Sequence, residues 1–126
     1  MNINDPEVIA ELEDLYPEYE TALVSNDVGK LVEMFWASPW AVRFGATENL
    51  YGIDEIRAFR QGRPAVNLAR QVKELRIRSF GKDFASITLE FERVVEGRLL
   101  NGRQSQTWVR FPQGWRIVSA HVSALP

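Results

Sequence analysis

The sequence predicts an α+β domain in which three N-terminal helices pack on one face of a strongly curved antiparallel sheet. Apolar residues recur at the helical spacing of three and four in the first half of the chain, and from Gln71 the period changes to two. Helices that are segregated from the strands are typical of α+β domains. A twisted sheet that bends over its helices leaves a cavity at its open end, so we expect a small cone around a pocket.

The three helices follow from capping residues and apolar spacing. Asp5 and Pro6 begin the first, because Asp is a favourable N-cap and Pro suits the first helical position. Apolar residues spaced as Val28, Leu31, Val32 and Phe35 predict a short second helix. The third is expected over about residues 54–61, with Gly62 as its stop.

The strands follow from alternation and from turn residues. Ala41–Gly45 is predicted to be a short strand and Glu48–Gly52 a turn. Four longer strands come next, joined by Gly-containing turns that imply antiparallel hairpins. Their expected extents are about residues 71–80, 84–95, 99–111 and 114–123.

Composition excludes several classes of function. The 126 residues correspond to a single domain spanning 1–126, and a net charge of -2 argues against a nucleic-acid partner. The chain has no cysteine and one histidine, so we expect neither a metal site nor a cofactor. No signal peptide or membrane-length apolar run is visible, which favours a cytoplasmic protein without a membrane partner.

Several segments carry a family resemblance. The ending, residues 104–110, 114–118 and 121–123, resembles the NTF2-like or SnoaL-like superfamily with its cystatin-like fold, and also the association domain of calcium/calmodulin-dependent kinase II. The AtzH-like branch, which includes the small protein of oxalurate catabolism, is similar in a narrower set of segments. These are Arg43-Phe44-Gly45, residues 48–52, Phe59-Arg60, Arg63-Pro64 and residues 102–108.

This resemblance implies a homodimer with a pocket for a small anionic carboxylate. The ligand would be a ureido carboxylate of purine, oxalurate or s-triazine catabolism, and metal-free decarboxylation or deamidation would be the reaction. Two alternatives remain open. The protein is a non-catalytic accessory of a neighbouring amidase, or it is a dimerisation module.

Arginines are the first candidates for ligand binding. Arg57 and Arg60 lie on neighbouring turns of the third helix and Arg63 follows its stop. Either at least one of them reaches the cavity mouth, or they form a solvated basic face of the helix. A guanidinium donates two parallel hydrogen bonds to a carboxylate. Arg43, between two apolar residues of the first strand, lines the cavity or faces water.

The polar residues of the second and third long strands suggest a cavity wall. Glu90 beside Trp108 and Gln106 would form such a wall, in which the carboxyl group of Glu90 is a candidate acid or base. The alternative is a routine cross-strand ion pair of Glu90 with an arginine on the solvent face.

His121 on the last strand has two interpretations. On the inner face it would be the best general base of the chain; on the outer face it would lie in a dimer interface. Val118, Ala120 and Val122 alternate with His121 and are expected to face the core. His121 would then lie on the outer face, which favours the interface interpretation.

Overall fold

A computed structural model describes residues 1–65 and 68–126, and it has the predicted α+β architecture. Three helices precede four long strands, and two short strands lie between the second and third helices. The helices are α1 (Pro6–Ser25), α2 (Val28–Glu33) and α3 (Ile53–Gly62); the strands are β1 (Val42–Phe44), β2 (Asn49–Tyr51), β3 (Gln71–Ser79), β4 (Phe84–Val95), β5 (Arg98–Phe111) and β6 (Gly114–Ala124).

The first helix begins and ends as its sequence indicates. The Asp5 carboxylate accepts a hydrogen bond of 3.0 Å from the backbone N–H of Glu7, which satisfies one of the unpaired donors of the first turn. Asn26 adopts a left-handed conformation at the C-terminus, with φ of 53°. Between these caps, one face of α1 is buried against the sheet.

The strands form one six-stranded sheet in the order β2-β1-β6-β5-β4-β3. All neighbours are antiparallel except β1 and β6, which run parallel. The prediction of a turn over residues 48–52 is wrong in part, because Asn49–Tyr51 pairs with Val42–Phe44 as β2. This pairing places β1 and its arginine between the sheet edge and the central strands.

The inner face of the sheet carries the core, but a bulge in β6 changes which residues face inward. Trp108 pairs with Ile117 and Thr107 with Ser119, so the register skips Val118. Ile117 is fully buried and Ala120 is buried. The expected inward alternation from Val118 is therefore wrong for Val118 itself and correct from Ala120 onward.

Within the two described ranges, no helix combines the length and the apolar character that crossing a bilayer would require.

Candidate functional site

A cavity lies where α3 and the loop after β1 meet the ends of β4, β5 and β6. It has an outer chamber of about 340 Å³ and an adjoining inner recess of about 50 Å³. A volume of a few hundred Å³ suits a small molecule. The chamber is lined by Arg43, Ala46, Thr47, Glu48, Phe59, Arg63, Phe91, Arg93, Leu100, Val122, Ser123 and Ala124, and the recess adds Tyr19, Leu23, Leu68, Arg70 and Gln104.

Three arginines gather around one aromatic ring on a wall of this cavity. The guanidinium carbons of Arg43, Arg60 and Arg63 lie 5.0, 5.8 and 6.0 Å from the ring centre of Phe59. Each distance is within the range of a cation–π contact, which offsets part of the repulsion among the three charges. Phe59 therefore organises a cationic cluster, which we call the arginine cluster (Arg43, Arg60 and Arg63).

Arg60 is the most deeply placed member of the cluster. Its side chain is fully buried, and its Nη2 donates a hydrogen bond of 3.2 Å to the hydroxyl oxygen of Tyr19. Its Nε and Nη1 have no hydrogen-bond partner among the described residues. Burial lowers the pKa of Arg60, and the neighbouring charge of Arg43 lowers it further. A buried guanidinium without a carboxylate is costly to the fold unless an anion compensates it.

Arg63 adds a second uncompensated charge at the cavity surface. It is half-buried, and the described part of the chain supplies no ion pair for it or for Arg60. Burial lowers the pKa of Arg63, and the charges of Arg60, Arg43 and Arg93 act in the same direction. The wall thus carries more positive than negative charge in a protein whose net charge is -2.

Glu48 is the one carboxylate among the described residues that line the cavity. One oxygen accepts a hydrogen bond of 2.8 Å from Nη1 of Arg43, and the other accepts one of 2.7 Å from the hydroxyl of Thr47. Burial by itself would raise the pKa of Glu48, but the hydrogen bonds from Thr47 and Arg43 outweigh it and lower the pKa below 4.5. Glu48 is therefore ionised at neutral pH and neutralises Arg43 alone.

A second polar group is formed by Tyr16, Glu20, Arg70 and Gln104, of which Arg70 and Gln104 line the inner recess. Tyr16 donates to Glu20 at 2.8 Å and accepts from Gln104 at 2.9 Å, while Arg70 donates to Gln104 at 2.9 Å and to both oxygens of Glu20. The bonds close into a ring, which we call the closed ring. Burial by itself would lower the pKa of Arg70, yet the hydrogen bonds and charge of Glu20 outweigh it and raise the pKa.

The predicted ligand-binding residues divide between lining and core. Arg43 and Arg63 line the cavity, and Arg60 lies directly behind them. Gln106 and Trp108 are buried deeper on β5, where Nε1 of Trp108 donates to Oε1 of Gln106 at 3.0 Å. Neither is among the lining residues, so the expected place of Trp108 beside a ligand is corrected to one in the core.

The expected wall of Glu90 beside Trp108 does not form. Trp108 faces inward opposite Ala85, whereas Glu90 is exposed on the outer face, opposite Arg103 and Lys73. Glu90 pairs with Arg103, and Trp108 lies an odd number of residues further along β5, so the two side chains point to opposite faces of the sheet. Glu90 therefore has no contact with the cavity.

His121 also lies on the outer face. It is exposed, and its ring meets that of Phe44 edge-on at 5.9 Å. The inner-face alternative, in which His121 would be a base in the pocket, is thereby excluded. Its place in a dimer interface stays a prediction.

Sequence reasoning missed Tyr19, Glu20, Glu48 and Arg70. Tyr19 and Glu20 belong to α1, where helical spacing indicated a core residue and a solvated acidic face. The one available signal was a tyrosine next to an acidic residue at the end of the buried face of α1. Their partners could not be inferred from it, because the partner of Tyr19 lies 41 residues away along the chain and that of Glu20 lies 50 residues away. The described residues contain no group of three or more acidic or histidine side chains that could hold a metal ion.

Comparison with known proteins gives a consistent result. A model of the AtzH-like family matches residues 1–126. A solved structure of a DUF3225-family protein from Pectobacterium atrosepticum, described as of unknown function, is 48% identical, with a TM-score of 0.94 over 98% of this chain and 95% of that one. A cystatin-like fold protein from Burkholderia xenovorans is 39% identical, with a TM-score of 0.91 over 100% and 99% of the two chains.

A more distant likeness concerns the fold alone. A protein from Xanthomonas campestris described as a calcium/calmodulin-dependent protein kinase II association domain is 16% identical, with a TM-score of 0.71 over 92% of this chain and 86% of that one. The comparison with curated proteins finds no match. The predicted cystatin-like, NTF2-like fold is confirmed.

Proposed function

The chain belongs to the AtzH-like family, and from that premise we propose that it binds a small ureido carboxylate in this cavity and releases CO₂ from it without a metal. The observation that carries the proposal is the uncompensated charge of Arg60 and Arg63. Such a wall favours an anion, and planar guanidinium groups suit a planar carboxylate. The chamber volume restricts the ligand to a small molecule.

The proposed reaction breaks the bond between a ureido nitrogen and a carboxylate carbon. The electron pair of that bond stays on the nitrogen, which takes one proton, and CO₂ departs. Arg43 and Arg63 would hold the ureido oxygen, on which negative charge develops as CO₂ leaves. The reaction needs charge placement and one proton donor, and the arginines and a tyrosine hydroxyl of this chain would supply them.

Tyr19 has the geometry for the proton donor. Its hydroxyl oxygen accepts a hydrogen bond from Arg60, so its own proton is free to be donated, and its side chain lines the inner recess. The carboxyl group of Glu90, which the sequence suggested for this role, lies on the other face of the sheet. We therefore assign proton donation to Tyr19.

The test is CO₂ release from a carboxylated urea generated in the assay. We expect turnover that survives a strong chelator and falls about a hundredfold or more in Tyr19→Phe, the usual scale for loss of a general acid. Arg63→Ala should lose comparable activity through substrate binding. If chelation abolishes turnover, the metal-free mechanism is wrong. If the protein binds the carboxylate but shows no turnover, its function is binding without catalysis.

A further inference from the structure

Glu48 presents a negative group in a cavity that is otherwise built for anions. The described lining residues include four arginines, Arg43, Arg63, Arg70 and Arg93, and this one carboxylate. A carboxylate there repels an anionic ligand and weakens its binding. Neutralising Arg43 does not help to bind an anion, because a neutral residue at position 48 would leave Arg43 free for the ligand. We therefore expect a second role for the Glu48 carboxylate.

The carboxylate of Glu48 is held in one position. Besides its bonds to Arg43 and to the Thr47 hydroxyl, it accepts the backbone N–H of Thr47 at 3.3 Å. It also packs over Gly45, so closely that a side chain at this position would collide with Oε1. These three hydrogen bonds and the packing contact leave the carboxylate little freedom to move.

One acceptor position remains on this fixed group. A carboxylate has about four lone-pair sites, and Oε2 uses two of them while Oε1 uses one. Because Glu48 is ionised, it accepts and does not donate. Glu48 and Arg43 both line the cavity, and the guanidinium of Arg43 has no hydrogen bond to any described residue other than Glu48.

Arg43 and Glu48 together therefore offer a donor beside an acceptor on the cavity wall. A ureido or oxamic acid carries the complementary pair, a carboxylate or carbonyl oxygen beside an N–H. We propose that Glu48 determines specificity by accepting the ligand's N–H, so that the cavity selects carboxylates bearing an adjacent amide or ureido nitrogen over carboxylates without one. This inference rests on the proposed function, because it concerns the same cavity.

Oxamate and pyruvate test the inference because they are isosteric monoanions that differ in an NH₂ group and a methyl group. Isothermal calorimetry on wild type should give binding of oxamate about tenfold or more tighter than that of pyruvate, the scale of a hydrogen bond to a charged acceptor. In Glu48→Gln the ratio should fall to about threefold or less. Pyruvate itself should bind more tightly, since a negative charge has been removed.

The ratio separates recognition from electrostatics and from folding. A purely electrostatic or structural role for Glu48 would change the two affinities by the same factor and leave their ratio unaltered, which would overturn the inference. Asp14→Asn, an exposed carboxylate on α1, is the charge-matched control and should keep the wild-type ratio. If Glu48→Gln unfolds, Glu48→Ala gives the same comparison without any acceptor.

The outcomes also distinguish this inference from the function on which it rests. If wild type binds both ligands equally and Arg63→Ala abolishes both, the anion site stands and the role of Glu48 is wrong. If wild type binds neither, the proposed function fails together with the inference.

Discussion

Arg70, whose side chain is 5% exposed, and the fully buried Arg60 lie beside the same cavity, yet they have opposite surroundings. Arg70 belongs to the closed ring, where Glu20 neutralises it and Gln104 accepts a further N–H. Arg60 donates to Tyr19, and two of its nitrogens remain without a partner among the described residues. An arginine whose carboxylate comes from the chain stabilises the fold, whereas one without a carboxylate is suited to an anion from outside.

The largest effect is expected where the closed ring is broken. Arg70→Met should lower the free energy of unfolding by about 3 kcal/mol, because it leaves the Glu20 carboxylate partly buried without its cation. Urea denaturation followed by circular dichroism measures this. Adding Glu20→Gln to Arg70→Met should restore much of the loss, and a loss that persists undiminished would show that the pair itself is not the cause.

A ligand should supply for the arginine cluster what Glu20 supplies for Arg70. Oxamate at one hundred times its dissociation constant should stabilise wild type by about 2.7 kcal/mol. At the same concentration Arg63→Ala should gain under about 1 kcal/mol, since truncating a buried carboxylate contact is worth about 2–5 kcal/mol. Thermal unfolding with and without oxamate measures both; equal stabilisation of the two proteins would place the ligand elsewhere.

Without a ligand, Arg60 is expected to reduce stability. Arg60→Met should raise the free energy of unfolding by about 1–2 kcal/mol, because an apolar side chain of similar length replaces a buried charge that lacks a counterion. Arg57→Met, at an exposed position of the same helix, is the control and should stay within about 0.5 kcal/mol of wild type. Destabilisation by Arg60→Met would mean that its hydrogen bond to Tyr19 outweighs the burial of the charge.

The smallest effect concerns Glu48, which neutralises the third arginine. The pKa of Glu48 is lowered in the folded protein, so its contribution to stability is present above the unfolded value of about 4.5 and is lost as the pH falls through the folded value. The stability difference between wild type and Glu48→Gln should therefore be under about 1 kcal/mol at pH 7 and should shrink toward pH 3. A stability difference that grows toward pH 3 would mean that the pKa of Glu48 is raised in the folded protein, contrary to this prediction.

Much of the fold could be predicted because its signals are local. The N-cap at Asp5 and the turn residues between the long strands each act over a few residues. The expected stop at Gly62 is off by one residue, because Gly62 still belongs to α3 and Arg63 is its C-cap. The spacing on α3 suggested that Arg60 or Arg63 reaches the cavity mouth, but the sequence left open whether Arg43 on β1 lines the cavity or faces water. The small strand β2 was missed, since three residues beside a turn carry almost no periodic signal.

The face on which a strand residue lies was less accessible. Alternation divides β4 and β5 into two sets, but both sets contain polar side chains: Gln104 and Gln106 face inward while Glu90 faces outward. Polarity alone then cannot say which set borders the cavity. On β6 a single bulge at Val118 shifts the parity, and such a bulge leaves no mark on a sequence of apolar and small residues.

The sequence by itself determined the helices, the meander of long strands and the supply of arginines at the open end of the cone. Only the tertiary structure decided which arginine has a counterion: Arg70 meets Glu20 across 50 residues of chain, and Arg60 meets a tyrosine hydroxyl instead. The physical reason is that backbone conformation follows from neighbouring residues, whereas charge compensation depends on which distant side chains the packed helices and sheet bring within hydrogen-bond distance.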